Sequence, residues 1–158
     1  MNTSSLRYFL ACIGHYICQE TNQTMKNDVE YISTKTGAQT GYHIEHILSR
    51  NDQNKQYFAS EEEFESKRNL LGGLLLLKGV DNISSGNEEY CDKLKTYSAG
   101  LIWGHSLCRD YYHTNKAMDA FNDRLFAACK HKIESIDVFD ATALENRSQL
   151  LYNLVKII

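Results

Sequence analysis

Apolar side chains recur at helical spacing near the start of the chain. This periodicity predicts an amphipathic helix over residues 4–19, with Ser4 or Ser5 as its N-cap. The apolar positions are Leu6, Phe9, Leu10, Ile13 and Ile17.

Three short apolar segments in the middle of the chain favour strands instead. Residues 29–32, which contain Val29, Tyr31 and Ile32, favour a short strand, and residues 42–48 are a second strand candidate. The run LLGGLLLL is too short for a typical helix and is bounded by Lys78 and Gly79. It therefore predicts a buried strand.

Capping signals and apolar periodicity predict that the rest of the chain is helical. Ser60 with Glu63, and Thr142 with Glu145, are capping boxes that open a short acidic helix over residues 61–68 and the last helix. A further helix is expected after a cap near residues 85–87, and helical patterns cover residues 99–112 and 116–132. These elements predict one α+β domain over residues 1–158, mostly helical, with a small hairpin-like element between residues 40 and 80.

Composition narrows the class of protein. Of the 158 residues, 42% are hydrophobic and 23% are charged, as in an ordinary globular protein. The net charge of −3 provides no general attraction to nucleic acid, so any DNA binding must come from a local basic patch. We expect a cytoplasmic protein with reduced thiols, because the five cysteines form no CxxC pair and neither a membrane span nor a signal peptide is recognisable.

The segment HIEH, residues 43–46, carries the candidate chemistry. A carboxylate at Glu45 suits a hard divalent ion, and the imidazole of His46 suits proton abstraction. The competing interpretation is that His43 and His46 are half-buried strand histidines and that Glu45 is solvated. Taken alone, the segment favours this structural interpretation.

The residues that follow form an ordered series. HIEHIL is followed by RNLLGGLLLL, then by Asn82, Asn87, Lys93 and Tyr97. The series resembles the C-terminal nuclease domain of GmrSD-type modification-dependent restriction systems, a branch of the HNH (His-Me finger) endonucleases. That family's pattern has an EHILP element, an RN-x-LGNLTLL element, and later Asn, Lys and aromatic positions. The resemblance is strongest over residues 42–97 and covers most of the chain. It implies a ββα-metal core at about residues 40–97, with flanking helices at 4–19 and 100–158.

The resemblance also implies roles for individual residues. His46 takes the position of the general base, and Glu45 and Asn82 take those of metal ligands. One divalent ion is implied, with Mg²⁺ expected and Mn²⁺, Ni²⁺ or Zn²⁺ as alternatives. Substrate contacts are expected from Arg68, Lys93 and Asn87, with His43 in a supporting role.

Two departures from the family pattern bear on activity. Gly73 occupies the position of the central Asn that orients the catalytic histidine, and we hypothesise that Asn69 substitutes for it. Ser49 replaces the Pro of EHILP, which shapes a turn only.

The resemblance implies a metal-dependent DNA endonuclease in restriction or defence. It also implies a nucleotide-binding regulatory domain as a partner, joined at the N-terminus or separate. No phosphate-binding loop is recognisable in this sequence, since LLGGLL lacks the GxxxxGK spacing. The alternatives are a catalytically degenerate DNA- or protein-binding module, and a helical interaction domain in which HIEH is incidental.

Overall fold

The structure, a computed structural model, describes residues 2–113 and 115–158. It confirms the predicted α+β class, because helices dominate and the strands form one small antiparallel sheet. The elements in chain order are α1 (Thr3–Glu20), α2 (Val29–Thr34), β1 (Tyr42–His46), α3 (Asp52–Lys55), α4 (Glu61–Arg68), a 3-10 turn (Leu71–Gly73), β2 (Leu74–Lys78), α5 (Gly79–Ser84), α6 (Tyr90–Tyr97), α7 (Ile102–His105), a second 3-10 turn (Arg109–Tyr112), α8 (Lys116–Cys129) and α9 (Ala141–Ile157). The interpretation of residues 1–158 as one domain stays a prediction.

The two strands pair from Tyr42 opposite Lys78 to His46 opposite Leu74. Leu74, Leu75, Leu76 and Leu77 are all buried, as expected for a strand covered on both faces. Helices α1, α5 and α7 pack against β2 and provide that cover. This packing explains why the sequence shows a continuous apolar run there rather than an alternating pattern.

The predicted strand over residues 29–32 is wrong, because these residues form α2. The carboxylate of Asp28 accepts a hydrogen bond from the backbone N–H of Tyr31 and caps the helix N-terminus. Local capping therefore outweighs the β-propensity of the aromatic and β-branched side chains. Helix α1 is confirmed, but its N-cap is Asn2 rather than Ser4 or Ser5.

The predicted continuous helix over residues 99–112 is also wrong. The segment is divided into α7 and a 3-10 turn. Between these two elements, the hydroxyl of Ser106 donates to the carbonyl of Trp103, with 3.0 Å between the two oxygens. Such side-chain bonds compete with the regular helical pattern. Helix α6 begins at Tyr90, later than the expected cap at residues 85–87, because residues 79–84 form α5.

Two helix termini in the C-terminal part differ from expectation. Helix α8 ends at Cys129 rather than at residue 132, since Lys130 adopts the left-handed conformation with φ of 62°. Helix α9 is capped by Asp140, whose carboxylate accepts from the N–H of Ala143, so the Thr142 capping box does not set its start.

Helix α9 lies directly on the turn that precedes β2. The N–H of Gly72 donates to Oγ of Ser148 at 3.0 Å, and a Cβ at position 72 would lie 2.4 Å from the backbone nitrogen of Ser148. Glycine is therefore required for this close approach. The contact fixes the turn between α4 and β2, and with it the residues beside His46.

Within residues 2–113 and 115–158, no helix is long and apolar enough to cross a membrane.

Candidate functional site

His46 is the last residue of β1 and lies half-buried at the end of the hairpin. Its Nε2 lies 2.9 Å from Oδ1 of Asn69, which follows the last residue of α4. The sheet pairing continues past His46, because the N–H of Ile47 donates to the carbonyl of Gly73 at 2.9 Å. The hydrogen bond joins His46 to the residue that the sequence proposed as a substitute for the missing central Asn.

The orientation of the Asn69 amide determines the tautomer of His46. Nδ2 of Asn69 donates to the carbonyl of Glu65 at 2.7 Å, so the Asn69 oxygen must face the imidazole. Nε2 of His46 is then the protonated nitrogen, and Nδ1 carries the free lone pair. A histidine held in this way can accept a proton at Nδ1.

The surroundings of His46 lower its pKa below the ordinary value. Burial is the largest cause; the Asn69 hydrogen bond opposes it, and the positive charges of Arg68, Lys93 and Arg50 add to the lowering. The imidazole is therefore neutral at neutral pH, as a general base must be.

Glu45 lies on the other face of the strand from His46, since successive strand residues alternate. Its side chain is buried, with 5% of the residue exposed. Oε1 accepts from Nζ of Lys93 at 2.5 Å and from the hydroxyl of Tyr97 at 3.2 Å, and Oε2 accepts from Nδ2 of Asn82 at 3.0 Å. Burial, followed by the Glu45 charge, raises the pKa of Tyr97 well above its ordinary value, so the phenol stays protonated. The structure thus brings Glu45 and Asn82 together, as a shared ligand role requires.

Glu45 and Asn82 are the residues that could hold a divalent ion. Rotating the Asn82 amide by half a turn would place an oxygen beside Oε2 of Glu45, where the amide nitrogen now lies. Groups of three or more His, Cys, Asp or Glu side chains placed to bind a metal do not occur among the described residues. The pair offers at most two protein oxygens, and both oxygens of Glu45 accept hydrogen bonds in this structure. An ion such as Mg²⁺ held there would complete its shell with water and substrate phosphate. Metal dependence itself stays a proposal.

Lys93 links the two groups of side chains. Besides Glu45 it contacts the carbonyl of His46, with 2.9 Å between Nζ and the oxygen, and only 1% of the residue is exposed. The expected phosphate contact by Lys93 stays a prediction; in this structure the ammonium is buried and bound to two protein oxygens. Lys93 holds the Glu45 carboxylate and the His46 backbone in place.

The other predicted substrate residues are placed differently. Arg68 is buried; its Nε donates to the carbonyl of Leu48 at 3.1 Å, and its guanidinium lies 5.8 Å from the centre of the Phe64 ring. Asn87 is exposed, and its carbonyl accepts from Nδ2 of Asn51 at 3.1 Å. The substrate contacts expected of Arg68 and Asn87 therefore stay predictions.

His43 lies on the same strand as His46 but contacts different residues. Its Nε2 lies 2.9 Å from the carbonyl of Thr36, and its register partner is Leu77 rather than Leu74. Three residue steps along the strand place it roughly 10 Å from His46. Any supporting role of His43 therefore acts through the hairpin and not by direct contact.

Arg50 was missed by the sequence reasoning, although it ends the segment HIEHILSR. Its side chain is 63% exposed, forms a two-point ion pair with Glu65, and is near enough to lower the pKa of His46. Tyr97 was quoted in the sequence series without a role and proves to be a donor to Glu45. The position of Arg50 in the sequence, four residues after His46, was the available signal for it.

Gly73 is packed too closely to be replaced by the Asn that the resemblance predicts at this position. A Cβ at this position would lie 2.7 Å from the carbonyl oxygen of Arg68 and 3.6 Å from Cδ1 of Leu144. The first contact is with backbone, so it cannot be relieved by a change of rotamer.

We expect Gly73→Asn to destabilise the protein by about 1–3 kcal/mol, as other overpacking substitutions do, and to leave nuclease activity no higher than in the wild type. Urea unfolding and plasmid nicking measure the two effects. Gly86→Asn is the matched control, because the nearest atom to a Cβ at position 86 is 3.6 Å away. A gain of activity in Gly73→Asn would show that the missing Asn limits the enzyme.

A comparison with protein families identifies the class of this protein. The family described as GmrSD restriction endonucleases, C-terminal domain, matches residues 1–154. The chain belongs to this family. It is thus a restriction endonuclease domain, a class of nuclease for which DNA is the substrate. Searches of the curated proteins and of the solved structures found no match.

Proposed function

We propose that this protein is a metal-dependent DNA endonuclease of the HNH type in which His46 is the general base. The observation that carries the proposal is the hydrogen bond from His46 to Asn69, because it leaves Nδ1 free at the end of the hairpin. Family membership supports the nuclease class. The metal dependence and the HNH type go beyond it.

In the proposed reaction, Nδ1 of His46 removes a proton from the water that attacks the phosphodiester. Asn69 keeps the imidazole in the tautomer that this step needs, and Lys93 holds the His46 carbonyl, so the base is oriented before DNA binds. A divalent ion held by Glu45 and Asn82 would polarise the scissile phosphate and stabilise the leaving oxygen.

Arg50 is the side chain that we propose for DNA binding at this site. It is exposed, lies beside His46, and exchanges its partner easily, because an exposed ion pair such as that with Glu65 is weak. A phosphate oxygen could take the place of the Glu65 carboxylate with the same two-point geometry. Arg68 contributes positive charge from its buried position.

The biological setting follows the family. We propose a role in restriction or defence in the cytoplasm, together with a nucleotide-binding regulatory domain that is either N-terminal to this chain or separate. The neutralisation of Glu45 by Lys93 favours one second candidate, a degenerate domain that binds DNA without cleaving it.

The test is plasmid nicking with Mg²⁺, Mn²⁺ and Ni²⁺, with EDTA as the blank. We expect Asn69→Ala to lower kcat by roughly 10- to 100-fold, as is usual when a residue that orients a reacting group is lost, with little change in KM. His15→Ala, on the exposed face of α1, is the control and should cleave normally.

Three results would contradict parts of the proposal. Cleavage that persists in EDTA would exclude metal dependence. Retention of DNA without cleavage under any of the three ions would favour the degenerate binding module. An effect of Asn69→Ala on KM alone would remove its orienting role.

A further inference from the structure

A cavity of about 460 Å³ lies between α7, the segment 130–136 and the first half of α9. Its lining excludes His46, Asn69, Glu45 and Lys93, so it is separate from the proposed nuclease site. The volume is within the range of small-molecule sites, roughly 300–1,000 Å³.

The floor of the cavity is formed by Arg147 and Trp103, which are 5% and 4% exposed. The guanidinium lies 3.8 Å from the centre of the indole ring, and Nη2 donates to the carbonyl of Trp103 at 2.9 Å. In the part of the chain that the structure describes, Nε of Arg147 and Nε1 of Trp103 have no acceptor. Two residues that line the cavity thus each carry a buried N–H donor that has no acceptor among the described residues.

Arg147 is also a buried charge without a counter-ion. It takes part in none of the ion pairs found among residues 2–113 and 115–158. Burial lowers its pKa to about 10, and the groups that oppose this are the hydroxyls of Tyr90, Tyr112 and Tyr97. Buried arginines are normally paired with an anion.

The rim of the cavity carries two positive and two negative side chains. Lys130 and Lys132 are exposed on one side, next to His131. Two carboxylates also line the cavity: Asp140 is occupied with the N–H of Ala143, and Glu134 lies 3.4 Å from the ammonium of Lys132.

We propose that this cavity binds a phosphate-bearing ligand, with Arg147 and the indole N–H of Trp103 as donors at the floor and Lys130 and Lys132 at the rim. The planar guanidinium and the ring N–H suit several oxygens of one phosphate group. The ligand is either a free phosphate or mononucleotide, or the terminal phosphate of a DNA strand, and the experiment separates these sources.

Trp103 is the single tryptophan of the chain, so its fluorescence reports directly on the cavity. Inorganic phosphate, dAMP, deoxyadenosine, and a DNA duplex with or without 5′ phosphates are titrated into the protein at matched ionic strength. We expect a saturable change in Trp103 emission with at least one phosphate-bearing probe and none with deoxyadenosine or added NaCl. Binding of phosphate or dAMP identifies a free ligand; a response only to the 5′-phosphorylated duplex identifies a DNA end.

Substitutions of exposed rim residues test the site without disturbing the core. Lys132→Glu should weaken binding by roughly 3- to 10-fold, and Glu134→Gln should strengthen it by roughly 2- to 5-fold, in line with single exposed charges. Lys95→Glu on α6 makes the same charge change away from the cavity and should leave affinity unchanged.

A substitution of the buried arginine tests the donor set itself. Arg147→Lys, which keeps the charge but loses the planar donor set, should weaken binding at least about tenfold.

The proposal fails if Trp103 emission does not respond to any phosphate-bearing probe, or responds equally to NaCl. It also fails if Lys132→Glu and Lys95→Glu bind equally well. The His46→Ala protein should bind as the wild type does, so this test stands apart from that of the nuclease.

Discussion

Replacing His46 by Ala should lower the rate of plasmid nicking by about 10²- to 10⁴-fold, the contribution that general acid–base catalysis usually makes. The reason is geometric: the Asn69 hydrogen bond occupies Nε2 and leaves Nδ1 as the proton acceptor. His43, the other histidine of β1, cannot replace it, because its side chain lies farther along the strand and is hydrogen-bonded to the carbonyl of Thr36. The rate is measured at saturating DNA, so that a loss of binding is not read as a loss of chemistry.

His43→Ala is the matched control on the same strand. We expect it to keep nicking within a few-fold of the wild type, and both variants to show wild-type circular dichroism. Nicking that continues undiminished in His46→Ala would remove His46 from the reaction. Equal losses in both variants would instead indicate general damage to the hairpin.

Replacing Lys93 by Met should destabilise the protein by about 3–5 kcal/mol, the usual cost of breaking a buried ion pair by removal of one partner. The Glu45 carboxylate would then stay buried with only the neutral donors of Tyr97 and Asn82. The carbonyl of His46 would lose its donor as well. Urea unfolding followed by circular dichroism measures the change.

A second substitution separates the charge from the packing. Lys93→Met combined with Glu45→Gln should recover at least half of the lost stability, because the amide oxygen still accepts from Tyr97 without a buried charge. Lys95→Met, two residues along α6 and exposed, is the control and should change stability by no more than about 0.5 kcal/mol. If the double variant is as unstable as Lys93→Met, the ion pair is not the source of the effect.

Local signals in the sequence predicted some of the local features. Ser60 caps α4 as its capping box indicates, and the N–H of Glu63 donates to the Ser60 hydroxyl at 3.1 Å. The LLLL run is a buried strand. The strand predicted over residues 29–32 failed because the Asp28 cap was not weighed against the β-propensity of Tyr31 and Ile32.

The site was predictable only as far as its residues lie in one motif. The sequence placed His46 and Asn69 in a common hypothesis, but their contact depends on α4 ending beside β1, which residue spacing does not reveal. The burial of Lys93 also needed the fold, since a lysine on a short helix is normally exposed. The pairing of Trp103 with Arg147 joins residues 44 positions apart and has no local signal.

The contact between Gly72 and Ser148 bears on whether the β1–β2 hairpin could be transferred to another protein. An isolated two-stranded hairpin is marginally stable in water, and the leucines of β2 need cover from helices that lie outside residues 40–97. The last helix also fastens the turn from which Asn69 reaches His46. We therefore expect that the hairpin and α6 could not be grafted onto another scaffold as an autonomous nuclease. The proposed base, His46, is aligned by Asn69, and the neighbouring turn is held in place by α9.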